Sequence, residues 1–101
     1  MILYSVTVNV EEQAADEWKQ WMQEVHIPGV MSTGLFAGYR MFRVLSRFPD
    51  ETGITFSIQY FLKDMEDYDK YRLEFAPALQ REHESRYAGL FTAFRTLLEE
   101  I

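Results

Sequence analysis

The sequence predicts an α+β protein in which a four-stranded antiparallel sheet carries two helices on one face. Three observations predict it: residues 2–10 and 53–63 alternate apolar and polar side chains, residues 11–26 and 64–87 have helical periodicity, and glycine- or proline-containing turns separate these segments. The resulting order is βαββαβ, whose right-handed crossovers place both helices on the same side of the sheet. This is a ferredoxin-like sandwich, and 101 residues accommodate it as a single domain, residues 1–101.

The first strand and the first helix meet at Glu11. Before it, every second residue of the stretch 2–10 is apolar, which is the period of a strand with one buried face. After it, apolar residues recur every three or four positions, which predicts a helix that runs to about His26. Because Pro28 disfavours helical geometry at Ile27, we expect a turn there that extends to Gly34.

The second half of the chain repeats this alternation of strand and helix. Residues 35–48 predict a second strand with three arginines, and the turn residues 49–53 connect it to a third strand over 53–63. Helical periodicity from Asp64 to Tyr87 predicts the second helix, which Pro77 should kink or split because proline lacks a backbone donor. Residues 90–101 supply the last strand.

The two faces of the predicted sheet differ in composition. One face is apolar throughout and should lie under the helices; it comprises Ile2, Tyr4, Val6, Val8, Ile54, Phe56 and Ile58. The reverse face mixes the hydroxyls of Ser5, Thr7, Thr55 and Ser57 with large apolar groups, namely Leu3 and Phe61, together with Phe94 and Leu98 or their neighbours. A sheet packed on a second copy accommodates both kinds of side chain, so a homodimer through this face is expected.

Composition argues against several classes of partner. A net charge of −6 and a pI near 4.8 disfavour nucleic acid, whose binding rests on clustered lysine and arginine. The absence of cysteine excludes a thiolate metal site and makes the reducing cytoplasm the expected compartment. The start of the chain lacks a basic signal-peptide region, and no apolar run approaches the roughly 20 residues of a membrane span. We therefore expect a cytoplasmic protein that binds neither nucleic acid nor membrane.

Four stretches carry a resemblance to a known family: "ILYSVTVNV", "WKQWMQEVHIPGVMSTGLF", "GITFSIQY" and "FRTLLEEI". Together they resemble an uncharacterised bacterial family, domain-of-unknown-function family 4286, within the dimeric α+β barrel superfamily. The resemblance covers essentially the whole chain and implies a ferredoxin-like protomer that pairs sheet to sheet. It implies no activity, since the superfamily contains cofactor-free monooxygenases, haem-degrading oxygenases, isomerases and proteins that only bind ligands.

The two histidines are the candidate acid–base residues. His26 follows Trp18 and Met22 on the buried stripe and ends the predicted helix, where capping and packing are the preferred interpretation and a general base in the cleft is the alternative. His83 shares the stripe of Leu79 and Tyr87, so it is either a base or a partly buried imidazole bonded to a carboxylate.

Tyr68 and Arg40 complete the candidate ligand-binding set. Tyr68 lies on the second predicted helix, where it can face the same cleft as the histidines. Arg40 either protects an outer strand from unwanted pairing or binds an anionic ligand, and the first interpretation is preferred. No ligand spacing for zinc or calcium is present, and strand three lacks the tryptophan of the haem-degrading relatives, so neither a metal nor a cofactor is expected.

Two functions fit these observations. The leading hypothesis is a homodimeric small-ligand-binding or accessory protein, because no complete catalytic set can be assembled from the sequence. The alternative is a cofactor-independent oxygenase or isomerase of small molecules, with His26 or His83 as acid or base in the cleft between helices and sheet. A closed pocket that holds a histidine beside a tyrosine favours the enzyme.

Overall fold

The computed structural model describes residues 1–101 and contains four strands and four α-helices. In chain order these are β1 Ile2–Val10, α1 Ala15–Trp21, α2 Ile27–Met31, β2 Gly38–Arg43, β3 Ile54–Leu62, α3 Met65–Glu74, α4 Ala76–Arg86 and β4 Phe91–Glu99. The strands form one antiparallel sheet in the order β2-β3-β1-β4. The predicted ferredoxin-like fold is confirmed. None of the helices combines the length and apolarity needed to cross a membrane.

The first helical region continues past the point where the sequence predicts its end. A π-helical turn, Met22–His26, joins α1 to α2, so the prediction that Pro28 stops the helix is wrong. In the wide turn the N–H of Ile27 donates to the carbonyl of Met22, and Pro28 falls in the first turn of α2, where its missing N–H costs little. The turn comes later, at Gly34, whose φ of +78° is left-handed as glycine allows.

The second helical region is split as Pro77 predicts. Helix α3 ends at Glu74, and Pro77 lies in the first turn of α4. Strand β2 is shorter than expected and ends at Arg43, so that Arg47 lies in the loop that leads to β3. Strand β2 is nevertheless an outer strand, as predicted.

The core lies between the helices and one face of the sheet. Trp18 on α1 is fully buried, and its ring centroid is 4.9 Å from that of Phe56 on β3. Most of the predicted helix-facing side chains are buried: Ile2, Tyr4, Val8, Phe56 and Ile58. The reverse face lies outside this core and exposes three large apolar side chains on the two outer strands, Phe42, Phe94 and Leu98, to 45%, 63% and 47%.

Candidate functional site

The two histidines meet in a small cavity between the helices and the sheet. Their ring centroids are 5.4 Å apart, although His26 and His83 belong to different helical regions. The cavity is about 20 Å³, which is about the space of one water molecule. It is lined by Tyr4, Val6, Val8, Met22, His26, Val30, Ile58, Tyr60, Tyr71, Gln80, His83 and Arg95. The site is thus an apolar chamber with a few polar groups.

His83 is held in one orientation by α1 and β4. Its side chain projects from α4 into the core, where Nε2 accepts a hydrogen bond of 2.9 Å from the indole N–H of Trp18. The imidazole also stacks on Phe91, with ring centroids 4.1 Å apart and planes at 13°. Because an indole N–H can only donate, Nε2 of His83 is unprotonated, and the neutral ring carries its proton on Nδ1.

His26 is the last residue of the π-helical turn. Such turns are frequent at functional sites, because the extra residue redirects a side chain. The imidazole lies beside Trp21, with ring centroids 5.4 Å apart. Its Nδ1 atom is buried and has no hydrogen-bond partner in the protein. His26 therefore differs from His83 in keeping one ring nitrogen available to a ligand.

Tyr4 and Arg95 supply the polar floor of the cavity from the sheet. Nε of Arg95 donates to the hydroxyl oxygen of Tyr4 over 3.1 Å. Arg95 was not among the predicted site residues. It pairs with Val6 across the β1–β4 ladder, which places it on the helix-facing side. The sequence carries a signal that could have found it. Once Phe94 is placed on the reverse face, the alternation of the strand puts the charged residue Arg95 on the helix-facing side.

Burial controls the protonation of the site. Burial lowers the pKa of His26 to about 4, and the positive charge of Arg95 contributes to this shift. Burial also lowers the pKa of His83 to about 4, with contributions from His26 and Arg95. Burial raises the pKa of Tyr4, although Arg95 acts against this shift. At neutral pH the cavity therefore holds two neutral imidazoles and a protonated phenol beside one cation.

The four predicted ligand-binding residues do not share one site. His26 and His83 line the same cavity. Tyr68 is half-buried outside this lining, with its ring centroid 5.5 Å from that of Tyr4. Arg40 pairs with Gln59 and lies on the reverse face of the sheet, so it belongs to a different surface. Tyr4, and not Tyr68, lines the cavity with the histidines, and Arg95 is the arginine that lines it.

This arrangement is found in a chain that belongs to a family without an assigned function. The family model named domain of unknown function DUF4286 matches residues 1–101, so the chain is a member of that family. Its fold is the ferredoxin-like α+β fold described above. Among curated proteins, none matches the chain.

Several solved structures share the fold at low sequence identity. A protein of the ethyl tert-butyl ether (ethd) family from Bacillus halodurans C-125 is 13% identical, with a TM-score of 0.72 over 100% of both chains. HapK from Hahella chejuensis is 14% identical, with a TM-score of 0.72 over 100% of this chain and 93% of its own. SnoaB, a cofactor-independent oxygenase from Streptomyces nogalater, is 14% identical, with a TM-score of 0.62 over 99% of this chain and 92% of its own. These likenesses establish the fold alone.

The half-buried His26 and the buried His83 should make the free energy of unfolding depend on pH above the range in which carboxylates titrate. Unfolded histidines bind protons near pH 6.5, whereas folded His26 and His83 do so near pH 4. Between these values the unfolded state binds more protons, so the free energy of unfolding falls as the pH is lowered. We expect a loss of about 2–4 kcal/mol between about pH 7 and pH 5, measured by urea denaturation.

The matched control for this measurement is the double variant His26→Gln/His83→Gln, which removes both histidines of the chain. Its free energy of unfolding should be nearly constant over the same range of pH. A parent protein whose stability is equally constant would show that the two histidines are hydrated and ordinary.

Proposed function

We propose that the protein is a homodimer that binds a small molecule between its helices and sheet and catalyses proton removal from it without a cofactor. This makes it an oxygenase or isomerase of small molecules, with His26 as the general base. The observation that carries the proposal is the buried, unpartnered Nδ1 of His26 beside the cavity. A buried polar atom without a partner is costly, and active sites are where such costs are retained.

The roles of the two histidines follow from their hydrogen bonds. Nε2 of His83 is occupied by the indole of Trp18, so His83 positions the neighbouring rings and His26 acts as the base. In the step, a C–H bond next to a carbonyl breaks, the proton forms an N–H bond with His26, and the electron pair stays on the conjugated carbon. An isomerase then returns the proton to another carbon, and an oxygenase passes the electrons to dioxygen.

A base with a pKa of about 4 is weak when the site holds no charged ligand. The efficiency of a general base is greatest when its pKa is near the working pH. An anion that forms beside the imidazole favours the protonated ring and raises this pKa. The low value is therefore compatible with catalysis when the product of proton removal is held next to His26.

The second candidate function is ligand binding without catalysis. It is favoured by the nearly filled layer between the helices and the sheet, since a cavity of about 20 Å³ leaves no preformed space for a substrate beside His26. In that case the buried histidines only shape a binding site, and the protein delivers or senses its ligand.

Exchange of carbon-bound hydrogen separates the two functions. A panel of 1,3-dicarbonyl compounds is incubated with the protein in deuterated water, and loss of the acidic C–H signal is followed by NMR. We expect His26→Gln to lower the protein-catalysed rate by about a hundredfold or more, the usual contribution of a positioned base. The melting temperature verifies that the variant is folded.

The control is Glu24→Gln, an exposed position on the same π-helical turn, and this variant should exchange at the parent rate. If compounds bind in the cavity and no exchange depends on His26, the protein is a binding protein and the catalytic proposal fails.

The proposed homodimer forms through the reverse face of the sheet. The exposed apolar groups Phe42, Phe94 and Leu98 lie there, on the same face as the hydroxyls of Ser5, Thr7, Thr55 and Ser57. A stable interface needs about 800 Å² from each partner and an apolar centre. A face built from four strands supplies a surface of this kind.

Sedimentation at micromolar concentration tests the dimer. The parent should sediment as a species with twice the 12.0 kDa mass of one chain. The variant Phe94→Glu should be monomeric, because a dimer would bury its carboxylate in the interface. Leu73→Glu is the control, since Leu73 is 66% exposed on α3, on the helical side of the molecule. A parent that sediments as a monomer, or a Phe94→Glu variant that stays dimeric, contradicts the proposal.

A further inference from the structure

Three polar side chains separate the cavity from a recess on the surface. Gln80, His83 and Arg95 line the inner cavity, and the same three line an outer recess of about 320 Å³ between α4 and β4. Glu84 and Phe91 also line the recess. The recess and the cavity therefore share one wall, to which these three residues contribute.

The two volumes define where a ligand must lie. The inner cavity has room for about one water molecule, whereas the recess is of the size that small-molecule sites have. The recess is therefore the nearest space from which we expect a molecule to extend through the shared wall to His26. Arg95 is the member of the wall best able to move, because its residue is largely exposed on the outer side.

Arg95 is a cation without a carboxylate partner. The four ion pairs of the chain involve other residues, and the side chain of Arg95 bonds only to the hydroxyl of Tyr4. Six of the ten basic residues lack an ion pair, and Arg95 is the one among them that lines both the cavity and the recess. Glu84 also lines the recess, and its negative charge opposes an anion close to it, so an anionic group is favoured only next to Arg95.

We propose that the ligand of this site is a small molecule with an anionic oxygen, and that Arg95 is the residue that selects it. The proposal rests on the proposed function, whose substrate class it names. N–H groups of the guanidinium donate to the carboxylate or enolate of a molecule in the recess. In doing so it leaves the hydroxyl of Tyr4, which opens the wall and places the ligand next to His26.

Matched probes test the charge requirement. Benzoate, its neutral analogue benzamide, and 4-nitrophenolate are titrated into the whole protein, and the Nε–H signal of Arg95 and the indole N–H signal of Trp18 are followed by ¹⁵N NMR. Both anions should shift these signals, and benzamide should bind about ten- to a hundredfold more weakly than benzoate. Binding of benzoate alone supports a carboxylate ligand, and binding of both anions extends the site to enolates.

Variants assign the preference to one residue. Arg95→Gln should bind benzoate and benzamide about equally, Arg95→Lys should retain part of the preference, and Arg81→Gln, an exposed arginine on α4 outside both linings, should behave like the parent. Equal affinity of the parent for benzoate and benzamide, a preference that survives Arg95→Gln, or the absence of shifts with either anion overturns the proposal.

The outcome is independent of the hydrogen-exchange experiment. If hydrogen exchange depends on His26 but the site shows no preference for anions, only the proposed role of Arg95 is contradicted. If the preference for anions depends on Arg95 but no hydrogen exchange is catalysed, the protein has an anion-binding site and the proposed catalytic function is contradicted.

Discussion

The buried hydrogen bond from the indole of Trp18 to Nε2 of His83 is the interaction on which the site depends. It joins residues 65 positions apart over 2.9 Å and connects the first helical region to the second above the sheet. Because the indole can only donate, the bond also selects the tautomer of His83 and keeps that ring neutral. With His83 committed in this way, His26 is the imidazole that has a nitrogen free for chemistry.

The electrostatics of the cavity follow from this arrangement. Two neutral imidazoles and a protonated phenol surround one guanidinium, and burial lowers the pKa of both imidazoles. Such a site accepts negative charge far better than positive charge, because Arg95 has no acidic partner to neutralise it. The proton removal proposed for His26 would place an anion beside an imidazolium. Arg95 stabilises the anion but, together with burial, disfavours the imidazolium, so the anion must lie next to His26 for the ion pair to be stable.

Much of the fold could be predicted from the sequence, but the site could be predicted only in part. Period-two alternation identified the strands and the helix-facing side, and the split at Pro77 follows from its missing donor. The π-helical turn was missed. The conformational preference of a single residue such as Pro28 does not show where a helix changes from i→i−4 to i→i−5 hydrogen bonds. Arg95 was missed because the facing of the last strand depends on its register with β1, a long-range property.

The protonation state of the buried rings tests this account most directly. Long-range ¹H–¹⁵N NMR of the histidine side chains at about pH 5.5, well below the usual imidazole pKa, reports each ring nitrogen separately. The account predicts that His26 and His83 are both neutral, and that His83 has a protonated Nδ1 and an unprotonated Nε2 that accepts from Trp18. Imidazolium signals from either ring in the folded protein at this pH would contradict it.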